Sequence, residues 1–593
     1  MFATKSHLEL FMYQAIHITH EAAKKIGGIG SVLSGICTSK TYLQNFNRTI
    51  FYGPLFDDRS NHNHEEAIAQ ERLGGKATVL FSSLDYINNT IYGAFFNDLI
   101  KKYNIEIIYG EKMLYDEIDI KKSNIVEILL IGIKSLNKDL LDLFKFQLWE
   151  AFSFSCQQFE SNWDFEQYLR IGVPFREITE KILEVPQKKE AKTIYFSHEY
   201  MGIASCMAIL LKKKQHEKTY FHAHEISTAR SITEKLQCHD VAFYSYIDKD
   251  LKNNVSIEER FGSQKMFYRN ELIKSTINFD GVLAVGDWVK KEYKYVLPHS
   301  NNKKVHICYN GIPTPNYTYE DKQKARKKIQ EYCENLYNFT PDIIMTHVTR
   351  LVVSKGLWRD INVCEELDDK FSKDKKKGFL VILSTLIGNG RTNQEILRME
   401  DDYGWPVLHK EGYPDLLDYE KDIYQKVLHF NAKSKSIKAV FINQFGFSQE
   451  RIGKRLPKST TFADLRLSSD VEFGMSIYEP FGIAQIETIP FGGVAILTQV
   501  CGSAFLLEKV FANEKIKPYY IINFKYEGND KNLINETNDF RVSIEKKIIT
   551  DCANKIYKII PKNEQERLVV FNVCKKHLNK LSWEEVIKDL PFL

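Results

Sequence analysis

At 593 residues the chain is too long for one hydrophobic core. Cores stop growing near roughly 250–300 residues, so two large domains or several smaller ones are expected. Apolar residues make up 44% and charged residues 27%, a globular balance that excludes global disorder. The 81 basic and 77 acidic side chains leave a net charge of +4 spread along the chain, which argues against a dedicated nucleic-acid binder. No stretch approaches the ~18 uncharged apolar residues of a membrane span; Ile125–Ile133 is strand-sized and carries Glu127. Met1–Glu9 shows no charged segment followed by an apolar one, so no signal peptide is read and a cytoplasmic protein without a membrane partner is expected. The 10 cysteines include no C-x-x-C pair and read as reduced, mostly buried thiols, with no disulfide framework and no structural zinc site.

Short runs rich in Val, Ile, Phe and Tyr recur, each followed by a turn and a helical stretch. Strands are predicted at Gln14–Ile18, Thr193–Phe196, Thr219–Phe221, Gly281–Val285 and Val305–Tyr309, then at Ile343–Val348, Phe379–Leu383, Ala439–Ile442, Val471–Met475 and Val494–Leu497. That alternation predicts parallel sheets with helices on both faces. Ile312-Pro313-Thr314-Pro315-Asn316 separates the two sets, before a charged helical run over Glu320–Tyr337. The fold class expected is α/β: two doubly wound domains facing one cleft, at 1–315 and 316–562, with a helical segment at 563–593 that could cross back to the first. Residues 400–429 read as an insertion, and the Lys-rich runs Pro186–Lys192 and Lys370–Lys377 as solvated surface.

Ligands of open α/β sheets bind beyond the carboxyl ends of the strands, so informative residues should follow the predicted runs. After the first comes Lys25-Ile26-Gly27-Gly28-Ile29-Gly30. It is either a tight turn or a loop whose amides approach a phosphate, with Lys25 favouring the second. It fits neither the dinucleotide fingerprint nor the Walker pattern. His198-Glu199 follows one strand and His222-Ala223-His224 ends the next. His222 and His224 share one side of a strand, yet no carboxylate or cysteine supplies a convincing third metal ligand. Arg350 and Lys355 lie in the loop opening the second half, where they are surface cations or converge on a diphosphate. Most specific is Tyr478-Glu479-Pro480-Phe481-Gly482, with Glu487 eight residues past Glu479 and expected two helical turns up the following helix.

Together these motifs resemble glycogen synthases, retaining glucosyltransferases of the two-Rossmann (GT-B) type, and look closest to their eukaryotic-like branch. Lys25-Ile-Gly27-Gly28 resembles the family's Lys-x-Gly-Gly loop, and Phe196-Ser-His198-Glu199-Tyr200 its His-x-His-Glu-Trp strand end, with Ser and Tyr replacing His and Trp. His224, with Arg230 six residues on, resembles the family's active-site histidine segment. Arg350 to Lys355-Gly356 resembles Arg-Leu-x-x-x-Lys-Gly, and Glu479 to Glu487 the Glu-x7-Glu element. Leu148-Trp149-Glu150 and Trp163-Asp164-Phe165 also resemble that branch, whereas Cys501-Gly502-Ser503 stands where a Gly-rich turn is usual.

The resemblance implies transfer of glucose, with retention, from UDP- or ADP-glucose to the non-reducing end of an α-1,4-glucan. Arg350 and Lys355 would stabilise the leaving diphosphate, with Lys25 or the Gly27–Gly28 amides assisting. His224 would contact the glucose near its reacting carbon and Glu479 would anchor its hydroxyls. Gly482 would shape the donor loop, Glu487 bind the ribose, and His198 and Glu199 shape the acceptor side. Closure of the cleft would complete the site and exclude water. Side-chain cations take the place of a metal, and no Asp-x-Asp element follows a strand, so no metal and no cofactor are expected. Self-association is left open. The alternatives are the same chemistry on a lipid, protein or small-glycoside acceptor, a non-catalytic sugar-nucleotide or glycan binder on the same scaffold, and, weakest, a nicotinamide-dependent enzyme.

Overall fold

A computed structural model describes residues 13–56, 66–88, 91–116, 119–184, 191–528 and 532–593. The N-terminal stretch read for a signal peptide and most of the Lys-rich run at 186–192 lie outside the described residues. The described chain divides into two units: the first takes the chain up to Thr228, Asn253–Gly311 and Trp583–Leu593, the second Ala229–Lys252 and Ile312–Ser582.

The first unit is built on a ten-stranded sheet. Its strands are β1 (Tyr13–Ile18), β2 (Phe46–Pro54), β3 (Ala77–Ser82), β4 (Ile87–Asn88), β5 (Glu106–Tyr115), β6 (Ser123–Gly132), β7 (Lys192–His198), β8 (Glu217–Ala223), β9 (Gly281–Ala284) and β10 (Val305–Ile307). In spatial order β10-β9-β8-β7-β1-β2-β6 run parallel, and β5, β3 and β4 add an antiparallel edge. The sheet of the second unit comprises β11 (Ile343–Val348), β12 (Gly378–Leu383), β13 (Ile437–Ile442), β14 (Val471–Gly474), β15 (Val494–Thr498) and β16 (Tyr519–Ile522). All six are parallel, in the order β13-β12-β11-β14-β15-β16. Alternate side chains enter opposite cores: Ile343, Met345, Leu380 and Ile382 join one apolar cluster, and Ile344, Phe379 and Val381 the other. A sheet buried on both faces is why these strands read as unbroken apolar runs. The chain thus carries two Rossmann-like doubly wound units, the fold class expected.

Every strand predicted from the sequence is present, with ends shifted by a few residues at most. Strands β2 to β5 and β16 were not anticipated. Buried charge conceals β2: Arg48 interrupts its apolar pattern and holds Glu127, the acid of the strand-sized run that forms β6, through two hydrogen bonds of 2.7 and 2.8 Å.

Two crossings of the chain have clear physical causes. The helix His239–Lys252 lies within sequence otherwise assigned to the first unit, but Val241 enters the core of the second. There the fully buried Arg359 holds Asp240 at 2.6 and 3.0 Å and Glu545 at 2.6 and 3.0 Å. At the other end, the helix Glu564–Leu581 belongs to the second unit, whereas Trp583–Leu593 packs in the first. The Trp583 ring lies over Gly35, where a Cβ would approach it to 2.2 Å, and Phe592 packs against Tyr13, Phe46, Phe196 and Tyr220.

All cysteines except the partly exposed Cys552 are buried, and all are free. No helix among the described residues is long and apolar enough to cross a membrane.

Candidate active site

In the second sheet the chain order reverses at β11, which has β12 on one side and β14 on the other. This is the topological switch point, where diverging loops leave a crevice at the carboxyl ends of the strands. The loop after β11 supplies Arg350 and Lys355, and the loop after β14 supplies Glu479. The Ile477 N–H donates to the Ser354 carbonyl at 2.8 Å and joins the two loops.

Glu479 is 7% exposed, and one carboxylate oxygen, Oε2, accepts from three side chains: the Lys355 ammonium, Gln485 Nε2 at 2.8 Å and Ser476 Oγ at 3.2 Å. Neither Ser476 nor Gln485 was singled out from the sequence. Gly482 makes the turn possible with φ +88°, and a Cβ there would lie 2.9 Å from Glu479 Cγ. The same loop is zipped to the start of the helix Gly502–Val510: Gly502 N–H donates to the Glu479 carbonyl at 3.0 Å and Ser503 N–H to that of Phe481 at 2.7 Å. A Cβ on Gly502 would meet the Pro480 carbonyl at 1.9 Å, so the Cys-Gly-Ser turn holds the glutamate loop by direct backbone contact. Arg350 is exposed.

Gly356, which follows Lys355, has φ +63°, and a Cβ there would lie 2.1 Å from the Met475 carbonyl. Gly356→Ala combines left-handed strain with a backbone clash and should cost more than about 1 kcal/mol in urea unfolding; a neutral variant would show that the loop shifts freely.

Glu487 departs from expectation. The helix after Gly482 is a single turn, Ile483–Ile486, and Glu487 stands at its carboxyl end rather than two turns along. Pro490 and Gly492 in the following turn replace any continuation. The Glu487 side chain, 26% exposed, is held by Arg466 at 2.7 Å, and Arg466 also pairs with the buried Glu472 at 2.9 Å. Arg466 was not anticipated either.

The first sheet has its own switch point at β1, flanked by β2 and β7. Parallel register places His198 beside His222, and His224 follows two residues on. A hydrogen-bonded file runs through these strand ends. Thr49 Oγ1 and Tyr42 OH are 2.9 Å apart, Tyr42 OH and His17 Nε2 3.2 Å, His17 Nδ1 and His198 Nε2 2.9 Å, and His198 Nδ1 and His224 Nε2 2.9 Å. Burial lowers the pKa of His17 to about 3 and that of His222 to about 4, and holds His198 and His224 well below the ordinary value, with neighbouring imidazoles adding to each shift except that of His222. All four rings are therefore neutral near pH 7.

His198 is fully buried, with both ring nitrogens engaged. It stands behind His224, the partly exposed end of the file, and bonds that ring at 2.9 Å, so any part it takes in shaping the acceptor side passes through His224. Glu199 is buried too, with φ +57°, and Oε1 accepts the Glu225 N–H at 2.6 Å. Burial, and then the charge of Glu225, raise its pKa well above the usual carboxylate range.

The glycine loop is also corrected. The Glu21 carboxylate oxygen Oε2 accepts the amides of Ile26 at 2.7 Å, Gly27 at 2.8 Å and Gly30 at 3.0 Å. The amide of Gly27 is thus committed to an internal anion, while Gly28 and Lys25 are exposed. Glu21 lies upstream of the glycines, where a carboxylate gave no signal of this role.

The sequence matches no protein-family model and no curated protein. Solved structures similar in fold include a UDP-forming α,α-trehalose-phosphate synthase from Burkholderia xenovorans in complex with glucose-6-phosphate, at TM-score 0.48 and 11% identity, covering 98% of each chain. A trehalose-6-phosphate structure from E. coli bound with UDP-2-fluoro glucose gives TM-score 0.47 and 12% identity over 97% of each chain. The corresponding UDP-forming synthase from Burkholderia vietnamiensis gives 0.47 and 11% over 97% of each. At such identity and scores nothing about substrate carries over, and the chain's own side chains must supply it.

Proposed function

We propose that the chain is a retaining glycosyltransferase that uses a nucleotide-sugar donor. More particularly, it moves glucose from UDP- or ADP-glucose to the non-reducing end of an α-1,4-glucan. The observation that carries the reading is the second unit's switch-point loop. There a buried carboxylate, Glu479, holds Lys355, in the loop that also carries the exposed Arg350, on a turn that glycine makes at Gly482 with φ +88°. A carboxylate with an ammonium at a strand-end crevice suits a polyhydroxylated sugar attached to a diphosphate: the acid accepts hydroxyls and the cations take the phosphates. Arg350 and Lys355 then neutralise the leaving group, Glu479 orients the glucose, and Glu487 accepts from the ribose through the oxygen that Arg466 leaves open. On the first unit, His224 keeps the role the resemblance implies, as a neutral imidazole near the reacting carbon. Lys25 and the Gly28 amide stay as assisting groups, and Glu199 as an acceptor-side residue.

The two glutamates should separate in calorimetry of bare nucleoside diphosphate. Glu487→Ala weakens binding by roughly 1.5–3 kcal/mol if a charge-assisted hydrogen bond is lost, while Glu479→Gln leaves it nearly intact and depresses turnover. Equal weakening by both variants would reverse the roles. Because side-chain cations serve the diphosphate, transfer should survive excess chelator; abolition, with rescue by a divalent ion, would remove this mechanism. The reading itself is tested by offering UDP- and ADP-glucose with glycogen, a small glycoside and glucose 6-phosphate in turn. Release of nucleoside diphosphate with a new α-linkage on glycogen supports it, and release only with another acceptor keeps the chemistry but changes the product. Binding without release under every condition would make the chain a non-catalytic binder.

A further inference from the structure

Among the described residues one group of side chains has the geometry of a metal site, and donor chemistry does not use it as such. The imidazoles of His198, His222 and His224 offer ligand nitrogens that all lie within 4.8 Å of one another. The sequence places two of these on one side of β8 but offers no third ligand; the third comes from the neighbouring strand, because the β7–β8 register sets His198 beside His222. All three belong to the first unit. Their rings are already close, with centroids 4.2 Å apart for His222 and His224, 5.1 Å for His198 and His222, and 5.2 Å for His198 and His224.

We propose that His198, His222 and His224 bind one divalent transition-metal ion of the zinc class, with three imidazole ligands and a fourth position open. Imidazole nitrogen suits zinc, copper, nickel and cobalt, whereas magnesium and calcium require oxygen. Three histidines with an open position make a familiar tetrahedral arrangement for zinc.

The surroundings supply what such a site needs. A ligating histidine ordinarily donates its second ring N–H to a fixed acceptor, which sets the tautomer. For His198 that acceptor is His17 Nδ1 at 2.9 Å, and the file continues from His17 Nε2 to Tyr42 and Thr49. With Nδ1 of His198 on the metal, its proton sits on Nε2 and the file runs outward to Thr49 with every polar atom satisfied. The ion takes the place of the proton shared by His198 Nδ1 and His224 Nε2, so binding needs a tautomer shift and no net deprotonation. Glu199 follows His198 in sequence; its Oε1 accepts the Glu225 N–H and its buried Oε2 has no partner.

An ion bound here occupies His224 Nε2. Resting on the proposed function, its effect on transfer is therefore inhibition relieved by chelator, opposite in sign to that of a cofactor.

The test is a titration of the full-length, metal-free chain with Co²⁺ alone. One equivalent should produce the intense visible bands of tetrahedral cobalt, and one equivalent of Zn²⁺ should bleach them. His222→Gln, outside the groups assigned to transfer, should lose the stoichiometric band, as should His224→Gln. If a variant does not fold, X-ray absorption of the zinc-loaded parent chain decides by counting imidazole ligands, with three expected. Absence of a saturable band, its survival in both folded variants, or fewer than three imidazoles overturns the proposal. None of these readouts depends on the chain being a transferase.

Discussion

Lys355→Ala should lower kcat by on the order of 10²–10³, the usual effect of removing one donor aimed at developing charge, while changing the donor KM much less. Before the donor arrives the ammonium is paired with Glu479, and the two side chains are 15% and 8% exposed. A diphosphate that gains charge as its bond to glucose breaks draws Lys355 more strongly in the transition state than in the ground state, so the loss falls on kcat. The substitution also leaves Glu479 with only Gln485 and Ser476 on Oε2. That orphaning should cost about 1–3 kcal/mol of stability, so kinetics must be read well below the variant's melting temperature. An unchanged kcat with a large rise in KM would reduce Lys355 to ground-state binding.

Arg359→Met should be the most destabilising of these substitutions, at about 3–5 kcal/mol in urea unfolding, because it leaves the buried Asp240 without its cation. Asp240 depends on Arg359 for its bidentate partner, whereas Glu545 retains Arg541 at 3.1 Å and Trp358 Nε1 at 2.9 Å. Burial raises the pKa of Asp240 even with Arg359 present, so without the guanidinium that carboxyl is driven further toward its neutral form. The consequence extends beyond one ion pair, since Asp240 is on the helix that brings His239–Lys252 into the second unit. A loss below about 1 kcal/mol would mean that apolar contacts such as Val241 fix this helix unaided.

Most strands of the parallel sheets, though not β2 or β16, were legible because burial on both faces favours continuous Val, Ile and Phe. The antiparallel edge was not, because β5 carries Glu106, Glu111 and Lys112 among its apolar residues. Lys355 and Glu479 were each recognisable from local motifs, but their pairing across 124 residues follows from β11 and β14 being neighbours in the sheet. The histidine file was hidden for the same reason. His17 sits in an ordinary buried strand, and only the order β8-β7-β1 brings its ring against His198 and thence to His224. The glycine loop misled for a different reason. The segment was read as a tight turn or as open amides, with Lys25 favouring the second, and nothing local indicated that Glu21 folds back to take the amides of Ile26, Gly27 and Gly30. The Glu487 helix was misplaced because its extent is set by Pro490 and Gly492, which terminate it after one turn.

The central claim is that the donor's diphosphate rests at the second unit's switch point. A crystal structure of the chain with bound UDP or ADP tests it most directly. The account expects diphosphate oxygens within hydrogen-bonding distance of Arg350 and Lys355, with the ribose hydroxyls on Glu487. A diphosphate seated instead on the Lys25–Gly30 loop, with Glu21 displaced from its amides, would contradict it.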